Sequence, residues 1–134
     1  MSHQRVEVIR RIYDDWGRGN FRTGAELFDP HVLLVLRPEF PDRGRHLGPE
    51  GIATYMRRDL LPAYTDFAIV GEEFIGVGDS VVVRVHQTGG GRSSGVMTEL
   101  RYFQVWTFRG DRVIRIESVA ERRDALAAVG LPEG

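Results

Sequence analysis

The chain contains no cysteine. That removes disulfides, thiol nucleophiles and thiolate metal sites. It contains no lysine either, since all 18 basic residues are arginine. Schiff-base chemistry and the phosphate-gripping lysine of a P-loop are therefore excluded. No purely apolar run is longer than that of Val32–Leu36, which falls far short of the roughly 20 residues of a membrane span. The N-terminus, Met1-Ser2-His3-Gln4-Arg5, carries no apolar leader core, so a cytoplasmic location is expected. A net charge of −1 with arginines spread along the chain gives no electrostatic reason to bind nucleic acid. The histidines, at positions 3, 31, 46 and 86, lack metal-ligand spacing, so neither metal nor cofactor is expected.

What is present fits one soluble domain over residues 1–134, with its core at about 5–131. Hydrophobic content of 42% and charged content of 28% are ordinary for a folded protein. Val6, Ile9, Ile12, Tyr13 and Trp16 recur at helical spacing, and Gly17-Arg18-Gly19-Asn20 stops that helix. A short helix is expected over Phe21–Phe28 and a strand over His31–Arg37. Pro38–Pro49 lacks periodicity and reads as a surface loop, a candidate lid. A third helix opens at Gly48-Pro49 with Ile52, Tyr55, Met56, Leu60 and Leu61 as its apolar stripe. Four strands follow, Thr65–Gly76, Ser80–Thr88, Thr98–Phe108 and Val113–Val119, with Gly78-Asp79 and Gly110-Asp111 marking two of the turns. Gly89–Gly95 reads as a flexible hairpin tip, without the strand-to-helix setting that cradles phosphate. A last helix, Glu121–Val129, is capped by Gly130. Helices gathered before an antiparallel meander give an α+β fold, in which a curved sheet leaves a cone-shaped cavity.

The segment Thr98–Leu131 carries most of this signal. Alternation along the strands turns Val83, Val85 and Gln87 inward, with Tyr102, Gln104 and Trp106, and with Ile114, Ile116 and Ser118. Ile12 and Trp16 from the first helix, Leu34 and Leu36 from the first strand, and Tyr55 from the third helix complete the expected pocket. The lining is apolar with a few neutral polar groups, which suits a flat hydrophobic ligand bearing one or two oxygens. The opposite face carries Arg84, His86, Glu99, Arg101, Arg115 and Glu117, a charged outer surface or a dimer interface.

In order along the chain, Ile12-Tyr13-Asp14-Asp15-Trp16 with Gly19-Asn20, Leu27-Phe28-Asp29-Pro30, Gly48-Pro49-Glu50-Gly51-Ile52, Ser94-Gly95-Val96, Val105–Val113, Ala125-Leu126 and Gly130-Leu131 resemble the SnoaL-like group of the nuclear-transport-factor-2-like superfamily. The resemblance implies a cystatin-like α+β fold, a curved antiparallel sheet wrapped around N-terminal helices; a homodimer is expected as the common form of such oligomers. It does not fix an activity, because the superfamily holds isomerases, cyclases, epoxide hydrolases and members with none.

The family's chemistries fail residue by residue. Ketosteroid isomerases need a tyrosine, a carboxylate base and a protonated acid, and those positions fall on Ile12, Leu36 and Gln104. Tyr13 is one residue from the tyrosine position, about 100° round the helix. In the epoxide hydrolases the water-holding, arginine and acid positions fall on Leu34 and Leu36, Val85, and Gln87 and Ser118. The cyclases' general acid/base position also falls on Ser118, with Glu117 and Glu121 nearby. Two readings stay open beside a non-catalytic dimerisation module. One is a small-molecule-binding protein in which any catalysis rests on Gln104, Gln87 and Ser118. The other is a cofactor-independent isomerase, cyclase or lyase in which a one-residue bulge turns Arg84, His86 and Glu117 inward, His86 or Glu117 acting as base. His46, in the Pro38–Pro49 loop, is a solvated residue or one that reaches the pocket mouth.

Overall fold

A computed structural model describes residues 2–36 and 44–131. Helix α1, Ser2–Gly17, buries Ile9, Ile12 and Tyr13, the apolar stripe read from its spacing. It ends where the Arg18 and Asn20 amides fold back on the Asp15 carbonyl, at 3.1 and 2.9 Å. The expected second helix is reduced to a turn and one 3-10 turn, Ala25–Leu27. Gly24 interrupts it with a left-handed φ of 103°. A side chain there would press on Ile12, whose Cδ1 lies 3.1 Å from the place a Cβ would occupy.

Strand β1, Phe28–Leu36, starts earlier than Pro30 suggests. Pro30 lies where the pairing with the neighbouring strand is irregular, between Phe28 and Leu33, so no ladder bond is lost. Of the expected Pro38–Pro49 loop, residues 38–43 lie outside the described residues. Gly44–Leu47 is not loop but an edge strand, β2, paired antiparallel to β1 with Leu34 opposite His46. Helix α2, Gly48–Thr54, then widens into a π-helical turn over Tyr55–Leu60 and a 3-10 turn over Leu61–Ala63. The expected single helix is thus three segments.

The meander β3 (Tyr64–Val77), β4 (Ser80–Gly91), β5 (Met97–Arg109) and β6 (Arg112–Val119) completes a six-stranded sheet of order β2-β1-β6-β5-β4-β3. The sheet is mixed, because β1 runs parallel to β6. The glycine run is strand to Gly91, not a loose tip. Gly89 and Gly90 pair with Thr98 and Met97. They stay small because a Cβ would sit 3.0 Å from the Tyr64 ring and 2.7 Å from the Thr65 hydroxyl.

The inner face of the sheet and α1 share the main core, with Trp106, Ile9, Val81, Val83 and Val85 fully buried. Helix α3, Arg122–Ala128, covers a second, smaller cluster of Val82, Val105, Val119 and Ala125 on the other face. That face is therefore not uniformly charged, as the alternation alone suggested.

Candidate functional site

Beyond the end of α1 the inner face is not filled. It opens into a cavity of about 720 Å³. Leu34 and Leu36 of β1, Phe67 and Ile69 of β3, Ile116 of β6 and Trp16 of α1 supply apolar walls. Ile52 of α2 and Tyr55, Met56 and Leu60 of the π-helical turn close it from the other side. π-turns recur at binding sites because the wider turn shifts which side chains face inward. The exposed lining residues Asn20, Arg22, Ala53 and Arg57 mark the mouth.

Of the residues the sequence assigned to a pocket, Trp16, Leu34, Leu36, Tyr55, Gln87, Tyr102, Gln104, Ile116 and Ser118 line this cavity. Ile12, Val83, Val85 and Trp106 do not. They are packed in the core with exposures of 2%, 0%, 0% and 0%. The reason lies in α1, which rests on β3 and β4. It covers the inward row of β4 as far as Val85 and leaves only Gln87 to the cavity. Alternation gives the face of a residue but not what lies over it. The lining from Phe21, Phe67 and Ile69 was not read from the sequence, although Phe67 and Ile69 stand two apart on β3, whereas Leu100, which alternation turns inward beside Tyr102, does line the cavity.

The polar groups of the cavity form two hydrogen-bonded sets. In the first, the Trp106 indole Nε1 donates to the Tyr13 hydroxyl at 3.0 Å. Tyr13 donates in turn to the Gln104 carbonyl oxygen. The Gln104 amide nitrogen donates to Ser118 Oγ at 3.4 Å. An indole nitrogen can only donate, so it sets the direction of this relay, which delivers an amide N–H and a hydroxyl proton to the cavity. In the second set, the Tyr102 hydroxyl donates to the Gln87 carbonyl oxygen at 2.8 Å. That bond holds the Gln87 amide N–H₂ as the remaining donor. Gln87, Gln104 and Ser118 are buried, at 8%, 8% and 1%.

None of these groups exchanges protons near neutral pH. Burial lifts the Tyr13 phenol well above the usual tyrosine range, against a smaller lowering by the Trp106 hydrogen bond. Burial raises Tyr102 as well. Among the described lining residues there is no aspartate, glutamate or histidine. His46 shares the inward face with Leu34 across β1–β2 and stacks on Tyr55 at 4.4 Å between centroids, outside the lining itself. Because burial raises the two folded pKa values above the unfolded one, about 10, both neutral phenols contribute their stability fully below that pH. The contribution is lost as pH rises above it. Ultraviolet phenolate absorbance should therefore show Tyr13 and Tyr102 ionising only together with unfolding. Native ionisation of both near pH 10 would contradict their burial.

The convergence of Arg84, His86 and Glu117 does not occur. The β4–β5 ladder runs without a break from Ser80 opposite Thr107 to Gly90 opposite Met97, so nothing turns His86 inward. The bulge in β6 falls between Thr107 and Phe108 of the partner strand. It turns Val113 inward in place of Ile114 and leaves Glu117 on the outer face. Opposite Arg101 and Val105 of β5 respectively, His86 and Glu117 stand roughly 13 Å apart along the strand and roughly 10 Å across the sheet. His86 instead lies 3.2 Å from Glu99 and 4.0 Å from Glu72, whose carboxylate also meets Arg84 and Arg101 at 3.7 and 3.3 Å. Glu117 pairs with Arg115 at 3.4 Å.

With the cavity and sheet order established, the family follows. The SnoaL-like domain profile matches residues 9–116, and the chain belongs to that family. An NTF2-like protein of unknown function from Burkholderia pseudomallei is similar over 97% of this chain and 99% of its own, with 18% identity and a TM-score of 0.75. TerC, co-crystallised with polyporic acid, is similar over 92% and 95%, with 22% identity and a TM-score of 0.72. A protein of ketosteroid isomerase-like fold from Catenulispora acidiphila, in complex with trimethylamine, is similar over 94% of both chains, with 17% identity and a TM-score of 0.73. No curated protein matches the chain. At these identities the likeness is one of fold. An acid in one neighbour and an amine in another underline that the fold does not choose the ligand.

Proposed function

We propose that this chain binds a flat, largely hydrophobic small molecule in the cavity, with the molecule's oxygens against Gln87, Gln104 and Ser118. The observation that carries this reading is a cavity of about 720 Å³ with apolar walls and a floor of neutral donors held in place by Tyr13, Tyr102 and Trp106. Such a volume lies within the usual range of small-molecule sites, roughly 300–1,000 Å³. Any reaction here would draw on shape, exclusion of water and neutral hydrogen bonds to a developing oxyanion, not on a side-chain base. Homodimerisation and a cytoplasmic location, both expected from the sequence, belong to the same proposal.

A thermal-shift panel of aromatic ketones, aromatic carboxylates, steroids and terpenoids tests it, since a ligand that binds only the native state raises the melting temperature by mass action. At a hundredfold excess over Kd the native state gains about 2.7 kcal/mol, a shift of several degrees for a domain of this size. Leu36→Trp, which places a large ring in the cavity from the end of β1, should abolish the shift. No shift with any compound, or a shift that survives Leu36→Trp, would sink the proposal.

A further inference from the structure

The charges around the cavity are of one sign. Its charged lining residues among those described are Arg22 and Arg57, both exposed at the mouth, and no carboxylate shares the lining. Neither guanidinium group has a hydrogen bond or ion pair among the described residues. Many other arginines do: Arg5 is held by Asp79, Arg18 by Asp15, Arg101 by Glu72 and Glu99, and Arg122 by Glu73. The positive mouth is not a consequence of bulk charge either, because the chain as a whole carries −1. Apolar walls behind the mouth weaken screening, so the field of the two guanidinium groups reaches into the cavity more strongly than over open surface. In its buried part the two hydrogen-bonded sets present donors: the Ser118 hydroxyl proton, the Gln104 amide and the Gln87 amide. The buried part of the site therefore selects hydrogen-bond acceptors and the mouth selects negative charge.

We propose that the ligand is an organic anion: a flat, mainly apolar molecule that places carbonyl oxygens on Gln87, Gln104 and Ser118 and a carboxylate or ionised enol between Arg22 and Arg57. This rests on the reading of the cavity as a small-molecule site and specifies its chemical class. Arginine suits the role because its planar fork binds a carboxylate through two parallel hydrogen bonds. A neutral steroid or terpenoid would leave both arginines unused, and an amine would be repelled by them.

The test compares anthraquinone-2-carboxylate with its methyl ester by isothermal titration at low salt, on the wild type and on Arg22→Gln/Arg57→Gln. Both arginines are exposed, so the double variant should fold. The acid should bind about tenfold more tightly than the ester to the wild type, an advantage that declines as salt is raised. The double variant should cut that advantage to about twofold or less. Equal binding of acid and ester, or an advantage that survives the double variant, overturns the anion assignment while the cavity reading stands. Binding of neither compound overturns both.

Discussion

Trp106→Ala is expected to destabilise the protein by about 3–5 kcal/mol, the usual cost of removing a large aromatic side chain from a packed core. Trp106 is fully buried at the centre of the sheet. Its ring lies 6.0 Å from that of Tyr13 and 5.8 Å from that of Trp16. Its indole nitrogen is bonded to the Tyr13 hydroxyl at 3.0 Å. The substitution removes dispersion contacts, leaves a void in a region that α1 and the sheet hold apart, and takes the fixed donor away from the relay. Chemical denaturation measures the loss. A value under about 1 kcal/mol would mean that the site collapses freely around the gap and that Trp106 does not hold the floor of the cavity.

The second large effect is at Tyr13. Tyr13→Phe keeps the ring and its edge contact with Phe74 at 5.8 Å but deletes the hydroxyl. The Trp106 N–H then has no acceptor and the Gln104 carbonyl oxygen no donor, both in a buried setting. Leaving buried polar groups unpaired costs about 1–3 kcal/mol, and that is the stability loss expected on denaturation. The change also frees the Gln104 amide to rotate, so a ketone ligand should bind several-fold more weakly even where the variant is fully folded. Tyr102→Phe makes the comparison, because it releases Gln87 and leaves the Trp106 relay intact. Stability unchanged by Tyr13→Phe would show that water or another group replaces the hydroxyl and that the relay does not orient Gln104.

The sequence carried the fold further than it carried the site. Helix α1 and the four strands of the meander are legible because their periods are clean: Ile9, Ile12 and Tyr13 on one face of a helix, and Val81, Val83 and Val85 on one face of a strand. The inward facing of Gln87, Tyr102 and Gln104 could be counted because β4 and β5 pair without interruption. At Ile114 the same counting fails, since a bulge is a pairing event between two strands and leaves no mark in the alternation of one. The Gly89–Gly91 run misled in the other direction. Glycine signals a turn locally, yet here it answers a tertiary demand, the side chains of Tyr64 and Thr65 lying across the strand. Edge strand β2 is too short for any period to show. Which inward residues meet the cavity and which meet α1 depends on where the helix comes to rest. The division of Gln87 from Val85, or of Gln104 from Trp106, is therefore invisible before the elements are packed. Tyr13 shows the same limit, because its hydroxyl gains its place only when Trp106 arrives from ninety-three residues away.

The central claim is that Gln87 and Gln104 present their amides to a ligand inside the sheet. The chain has three glutamines, Gln4, Gln87 and Gln104, and a single asparagine, Asn20, so its side-chain amide signals in a proton–nitrogen correlation spectrum are few enough to assign. Titrating in the panel compound that most raises the melting temperature tests the claim directly. The account predicts that the Gln87 and Gln104 side-chain amides shift in step with binding while Gln4 stays where it is. Saturable binding that leaves both cavity amides unmoved, or that moves instead the outer-face residues around His86 and Glu99, would contradict it.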